Sequence, residues 1–156
     1  MNYILDANIL LRFADTASVQ HPTTVVAIDF LRQQGFVPRT VPQSFFEFWV
    51  VATRPTANNG LGLTPIDCEA TAAGLVTTFP ILEDKPGLFA EWRALVVAHS
   101  CRGKVAHDAR YVAAMKTHGI THILTFNTPD FARYPGITVL DPHVVAATAI
   151  PPRSIR

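Results

Sequence analysis

Short apolar runs alternate with longer segments whose apolar residues recur at helical spacing. The run over residues 3–5 predicts a first strand, and residues 8–14 predict a helix directly after it. Periodicity, together with proline and threonine at helix starts and glycine at helix ends, predicts helices over 24–34, 43–53, from 64 onwards, 88–99 and 104–118. Apolar runs between them predict strands over 36–41, 79–82, 120–126 and 137–140.

This alternation predicts an α/β fold of three layers, α/β/α, with a central, mainly parallel sheet and helices on both faces. The length of 156 residues fits one domain, which we place at 1–145 with a C-terminal tail at 146–156. Binding sites of open parallel sheets lie beyond the carboxyl ends of the strands. Residues that directly follow strands are therefore the first candidates for a site.

Composition narrows the class of protein. Apolar residues make up 49% of the chain and charged residues 16%, which suits a globular core. The N-terminus shows no signal-peptide pattern and no run is long enough to span a membrane, so we expect a cytoplasmic protein without a membrane partner. Cys68 and Cys101 are expected to be reduced thiols. A net charge of +1 excludes a broadly basic surface, so a site for a polyanion has to be local.

Two acidic residues stand out in the first third of the chain. Asp6 ends the first strand, where it serves either as a site residue or as the N-cap of the next helix. Glu47 lies on a helix that is apolar almost all round, and Gln43, Glu47 and Arg54 form its one polar stripe. The alternative is a solvated face or a structural ion pair. A carboxylate in apolar surroundings is costly unless it is paired or bound to metal, which favours a functional Glu47.

Three further candidates follow the later elements. Asp108 opens a helix, whose N-terminus favours an anion whether or not the residue binds a ligand. Asn127 comes directly after a strand and Asp130 lies in the next turn, where both residue types are also ordinary turn formers. A parallel fold brings all of these positions to one edge of the sheet. Clustered carboxylates repel unless a hard cation such as Mg²⁺ or Mn²⁺ binds them, and such ions promote phosphodiester hydrolysis.

At these residues the sequence resembles the PIN-domain family, and within it the VapC-type toxins. The matching segments are Ile-Leu-Asp-Ala-Asn at 4–8, Phe-Glu-Phe-Trp at 46–49 running to Thr-Arg-Pro at 53–55, His-Asp-Ala at 107–109, Thr-Phe-Asn-Thr-Pro-Asp-Phe at 125–131, and the closing segment 134–142. Each motif alone is unspecific, but their order along nearly the whole chain is specific.

The resemblance implies a PIN-like fold and an endoribonuclease that depends on Mg²⁺ or Mn²⁺, the toxin of a toxin–antitoxin pair. Carried over, Asp6, Glu47 and Asp108 are the first three acidic positions of the site. Asn127 stands where many relatives have aspartate, so either Asn127 or Asp130 is the fourth metal ligand, and Asp130 joins the catalytic carboxylates in the latter case. The resemblance also implies an RNA substrate, a homodimer and an inhibitory antitoxin.

The aromatic residues of the 43–53 helix bear on partners. Phe45, Phe46, Phe48 and Trp49 cannot all face one core from a single helix. We expect some of them to line a groove or subunit interface; the alternative is that a neighbouring helix covers them.

Other functions remain open on sequence grounds. A dehalogenase-like phosphatase would need an aspartate at position 8, which is Asn8 here. A catalytically silent PIN scaffold that binds RNA or a protein is supported by Asn127 alone. Nothing in the sequence recognises a 2′-hydroxyl, so DNA is also a possible substrate.

Overall fold

A parallel sheet forms the centre of the computed structural model, which describes residues 1–150. Its strands are β1 (Asn2–Leu5), β2 (Val37–Arg39), β3 (His122–Leu124) and β4 (Thr138–Leu140). They run in the order β2-β1-β3-β4, and every pairing is parallel. The predicted α/β fold with a parallel sheet is therefore confirmed.

Helices connect and cover these strands. They are α1 (Ala7–Ala14), α2 (His21–Gln33), α3 (Pro42–Ala52), α4 (Pro65–Thr78), α5 (Leu88–Ala98), α6 (Val105–Thr117) and α7 (Pro142–Ala149), with 3₁₀ turns at Thr56–Asn58 and Thr128–Phe131. Proline occupies the first turn of α2, α3, α4 and α7, where its missing N–H would have no helical partner anyway. Within residues 1–150, no helix combines the length and apolar composition that a membrane crossing needs.

Side-chain alternation along the strands separates two cores. In β1, Tyr3 and Leu5 pack with α1, α2, α3, α4 and α7, whereas Ile4 packs with α5 and α6. In β3, Leu124 and Ile123 divide in the same way. Both faces of the sheet are thus covered, which explains why these strands read as continuous apolar runs rather than alternating ones.

The prediction of a strand over 79–82 is wrong. That segment makes one isolated parallel bridge, between Thr40 and Ile81. Phe79 still belongs to the C-terminal boundary of α4, and Pro80 has no N–H to donate to a ladder. The segment is therefore held beside β2, with Phe79 buried, without becoming a fifth strand.

Element boundaries also shift at other places. Helix α2 begins at His21 rather than at 24, and the predicted strands over 36–41 and 120–126 shorten to three residues each. Gly35 adopts φ 83°, as predicted for the left-handed residue after α2. Helix α7 continues to Ala149 and buries Ala146 against α2, so the domain boundary drawn at 145 falls inside a helix. Residues 151–156 of the predicted tail lie outside the described residues.

Candidate active site

The carboxyl ends of β1 and β3 place the first part of the site. Leu5 pairs with Leu124, and the backbone N–H of Asp6 donates to the Leu124 carbonyl at 3.1 Å. Asp6 and Thr125 are consequently neighbours, although they lie far apart in the sequence. This is the edge at which open parallel sheets bind their ligands.

Hydrogen bonds fix the Asp6 side chain at this edge. Thr125 Oγ1 donates to Asp6 Oδ2 at 2.6 Å, and Asn8 Nδ2 donates to the same oxygen at 3.0 Å. The Asn8 Oδ1 atom in turn accepts the Phe126 N–H at 3.2 Å. Asp6 occupies the N-cap position of α1, but its side chain makes no capping hydrogen bond there. Capping therefore does not explain why an aspartate stands at this position.

Burial makes the ionised form of Asp6 costly. The residue is only 7% exposed, and desolvation raises the pKa of its carboxyl from 3.8 to about 6. The hydrogen bond from Thr125 opposes that shift, while the charge of Glu47 adds to it. An isolated buried carboxylate of this kind gains stability from a bound cation.

Glu47 reaches the site from α3 and is held there by two neighbours. Gln43, one turn earlier, donates through Nε2 to Glu47 Oε1 at 2.8 Å. The same Gln43 nitrogen donates to the His107 carbonyl at 2.8 Å, which connects α3 to the start of α6. On the other side, the Tyr111 hydroxyl donates to Glu47 Oε2 at 3.4 Å. The predicted polar stripe is therefore a structural connection rather than a solvated face at Gln43 and Glu47.

Tyr111 lies between the two carboxylates. Its hydroxyl accepts the Ala7 N–H at 3.2 Å, next to Asp6. Burial first, and then the charges of Asp6 and Glu47, raise the pKa of Tyr111 well above its usual value. Tyr111 thus stays a neutral hydrogen-bond donor at neutral pH.

The pKa of Asp108 responds to the charges of the other acidic side chains. It lies in the first turn of α6, as predicted. Burial raises the pKa of its carboxyl to about 7, with further contributions from the charges of Asp130, Asp6 and Glu47, whereas Arg133 lowers it. Four carboxylates from four separate segments of the chain therefore repel one another at this edge.

The two candidates for the fourth position differ in their surroundings. Asn127 precedes the 3₁₀ turn Thr128–Phe131, and its backbone N–H donates to Thr125 Oγ1 at 3.0 Å. Asp130 lies within that turn, and its charge is the largest electrostatic contribution to the raised pKa of Asp108. Both side chains are exposed. Asp130 is thus coupled to Asp108 by charge, whereas the backbone of Asn127 is bonded to Thr125.

The side chains at this edge are of the types that bind a divalent cation, but they are not arranged around a common metal position. Carboxylate and amide oxygens are the ligands that Mg²⁺ and Mn²⁺ prefer, and their mutual repulsion is relieved by such an ion. Among residues 1–150, however, no group of three or more His, Cys, Asp or Glu side chains is already arranged to hold a metal ion. The metal site and its ligands therefore remain a prediction.

Sequence reasoning named Asn8 and Gln43 without giving them a role, and it missed Thr125 and Tyr111 as supports of the site. The available signal for Asn8 and Thr125 was their spacing, two residues after Asp6 and two before Asn127, at the ends of strands. Tyr111 had the weaker signal of lying one helical turn after Asp108. None of these spacings shows by itself which carboxylate a side chain contacts.

The Gln43 contacts lead to a first prediction. Replacing Gln43 with leucine removes the donor to Glu47 and to the His107 carbonyl, so the metal-dependent RNA cleavage that the sequence resemblance implies should fall by about 10- to 100-fold, the usual cost of losing an outer-shell partner. The same change at Gln33, an exposed residue of α2, is the matched control. Equal cleavage rates for the two variants, measured on one RNA substrate, would contradict the positioning role.

A second prediction concerns stability without metal. The pKa of the Asp6 carboxyl is about 6 in the folded chain, whereas its ordinary value, which applies to the unfolded chain, is 3.8. The folded state therefore binds the proton more tightly. Stability in chelator should therefore fall by about 3 kcal/mol as the pH rises through this interval, and the raised pKa of Asp108 acts in the same direction. Urea unfolding in EDTA at about pH 5 and pH 8 measures the upper part of this change, roughly 1.4 kcal/mol for the one pKa unit of Asp6 that lies above pH 5. The Asp6→Asn variant should lose the Asp6 part of this pH dependence and keep the part that belongs to Asp108; an unchanged slope would contradict the burial argument.

Comparisons with solved structures find the same fold in several toxin structures. The VapBC2 complex from Rickettsia felis, bound to a DNA fragment from its promoter, shares 12% sequence identity, covers 90% of this chain and 98% of its own, and has a TM-score of 0.68. VapBC-1 from nontypeable Haemophilus influenzae shares 13% identity over 91% of this chain and 98% of its own, with a TM-score of 0.67. VapC20 from Mycobacterium tuberculosis, a toxin that cleaves the sarcin-ricin loop, shares 20% identity over 78% and 86%, with a TM-score of 0.57.

These likenesses establish the fold. The chain has the three-layer, PIN-like fold of VapC-type toxins, which confirms the sequence resemblance at the level of fold. Neither a family model nor a curated protein sequence matches the chain.

Proposed function

We propose that the protein is a metal-dependent endoribonuclease. The observation that carries the proposal is the electrostatic coupling of Asp6, Glu47, Asp108 and Asp130 at the carboxyl edge of the sheet. Carboxylates that repel one another cost folding stability, and a divalent cation offsets that cost. On a chain with a net charge of +1, such an acidic site fits hydrolysis of a phosphodiester through bound metal better than passive binding of a polyanion.

Each side chain then has a role. Asp6, Glu47 and Asp108 would hold the Mg²⁺ or Mn²⁺ ion, with Asp130 or Asn127 as the fourth ligand. When bound, the ion activates the attacking water and stabilises the leaving oxygen. Thr125 and Asn8 would keep Asp6 oriented, since both donate to Asp6 Oδ2.

Three further contacts would support the metal ligands. Gln43 connects Glu47 to the start of α6, which positions two ligands from different helices. The neutral Tyr111 hydroxyl separates Asp6 from Glu47 and donates to the latter. These supports restrict how far the carboxylates move when they close on an ion.

Cleavage assays test the proposal. Purified protein should cut single-stranded RNA in Mg²⁺ or Mn²⁺ and stop when EDTA is added, leaving 5′-phosphate and 3′-hydroxyl ends. A DNA strand of the same sequence, run in parallel, tells whether the sugar matters. Undiminished cutting in excess EDTA would contradict the metal mechanism.

A silent scaffold is the second candidate, favoured by Asn127 at the fourth position and by the lack of a ready-made metal centre within residues 1–150. It predicts RNA binding without cleavage in either metal. The cleavage assay, repeated with a gel-shift measurement, separates the two functions.

The toxin role extends the proposal to partners. The structures with this fold include toxin–antitoxin complexes, such as that from Klebsiella pneumoniae. We propose that an antitoxin neutralises this chain and that the chain forms a homodimer alone. Sedimentation at high protein concentration tests the dimer, and a strictly monomeric protein would contradict it.

A groove between α3 and α4 supplies a surface for the antitoxin. Phe45, Phe46 and Trp49 line this groove of about 420 Å³ together with small and aliphatic side chains of α4. Phe48 is fully buried, whereas Phe46 is 63% exposed. The sequence left open whether these aromatic residues line a groove or are covered by a neighbouring helix. Both hold in part, because a neighbouring layer covers Phe48 and leaves Phe46 open. Glu69 lines the same groove and suits a basic side chain of the partner.

A third prediction tests this groove. A small protein encoded beside this chain should copurify with it on coexpression, and Phe46→Ser should weaken the complex by at least about tenfold, because a central aromatic contact is lost. Val97→Ser, at a 79% exposed position of α5, is the control. Equal affinity of the two variants for the partner, measured by titration calorimetry, would show that the partner does not bind at α3.

A further inference from the structure

A second pocket lies beside the proposed active site. It has a volume of about 330 Å³ and is lined by Leu88, Phe89 and Trp92 of α5 and by Arg110 of α6. Phe89 and Trp92 stack with centroids 5.7 Å apart and ring planes inclined by 23°. Trp92 is partly buried and packs against the core, whereas Phe89 is 68% exposed, so the pair opens to solvent on the Phe89 side.

Positive charge borders the aromatic pair. The Arg93 guanidinium lies 5.8 Å from the centroid of the Phe89 ring and makes no salt bridge with any part of the chain that the structure describes. Arg110 pairs with Asp84 at 2.6 Å, which holds its guanidinium at the wall of the pocket. The Arg93 cation beside the exposed Phe89 ring suits a ligand that combines flat rings with negative charge.

Hydrogen bonds connect both walls of the pocket to the proposed active site. Arg110 Nη1 donates to Gln43 Oε1 at 3.2 Å, and Gln43 donates to Glu47. Trp92 Nε1 donates to the Ala106 carbonyl at 2.8 Å, two residues before Asp108. The indole is thereby fixed in orientation. Two hydrogen bonds connect the pocket to Glu47, and one connects it to the backbone two residues before Asp108.

We propose that this pocket binds an unpaired nucleobase of the RNA that the active site cleaves, by stacking on Phe89 and Trp92. The proposal rests on the proposed nuclease function. Unpaired bases of RNA are recognised by stacking on aromatic and guanidinium planes, and stacking is worth about 1–3 kcal/mol per base. Arg93 supplies a positive charge for the phosphates on either side of the stacked base. The protein is nearly neutral overall and lacks a broad basic surface that would bind them elsewhere.

Tryptophan fluorescence reads the pocket without cleavage. The chain has Trp49 and Trp92 only, so Trp49→Phe leaves Trp92 as the single reporter. A short single-stranded oligoribonucleotide added in EDTA should quench this fluorescence. Adding Phe89→Ala should weaken the affinity by about tenfold or more, the equivalent of 1.4 kcal/mol from one lost stack. Phe89→Tyr should restore it, and Val97→Ala on the same helix should not alter it.

Steady-state cleavage separates the pocket from the nuclease function. In Mg²⁺, Phe89→Ala should raise KM for a short RNA about tenfold with kcat nearly unchanged. Unchanged affinity and KM in Phe89→Ala, with normal cleavage, would overturn the pocket and leave the nuclease intact. Quenching without any cleavage by the parent chain would support the pocket and contradict the nuclease. A variant that alters only the oligomeric state would show a protein interface here and overturn the proposal.

Discussion

Replacing Asp6 with asparagine should lower RNA cleavage by about a thousandfold or more, a barrier increase of roughly 4 kcal/mol. Asp6 is the most buried of the candidate ligands, and this burial disfavours the ionised form of its carboxyl. Asparagine keeps the shape and can still accept from Thr125 and Asn8, so the fold should persist. The variant loses the negative charge that a cation requires.

The matched control is Asp29→Asn, which removes a charge from an exposed position of α2. Its cleavage rate should equal that of the parent chain. In EDTA, Asp6→Asn should unfold at a higher temperature than the parent at neutral pH, because a buried charge is gone. A folded Asp6→Asn protein that cleaves RNA at the parent rate would exclude Asp6 from the site.

The second large effect concerns the fourth ligand. Asp130→Asn should reduce cleavage by about 100-fold and Asn127→Ala by less than about threefold, if the missing charge is supplied from the 3₁₀ turn. The coupling of Asp130 to Asp108 supports this order. Removing that charge should also lower the pKa of Asp108, which a carboxyl titration by NMR measures directly.

The reverse order of effects would assign the fourth position to Asn127. Its amide oxygen ligates without charge, so the site would then hold its cation with three carboxylates. Equal and small effects of both substitutions would indicate a site built from Asp6, Glu47 and Asp108 alone. Metal affinity, measured by calorimetry on each variant, separates ligand loss from a change in RNA binding.

Sequence patterns predicted most elements because helix and strand periodicities are local properties. The proline-initiated α3 and the glycine-terminated α2 were recognisable from the residues at their ends. The segment 79–82 shows the limit of such patterns. Phe79 is buried as expected, but membership of a sheet depends on a partner with free hydrogen-bonding groups, and Pro80 offers only a carbonyl.

The sequence by itself determined the candidate carboxylates, since a glutamate on an apolar helix and an aspartate after a strand are recognisable without coordinates. Only the tertiary structure decided which of them interact. Gln43 bridges Glu47 to α6, and Tyr111 lies between Asp6 and Glu47. Two of these contacts, Gln43–His107 and Glu47–Tyr111, each join residues 64 positions apart. Hydrogen bonds form only at about 3 Å and charge repulsion weakens with distance, so both depend on how the layers pack and not on spacing along the chain.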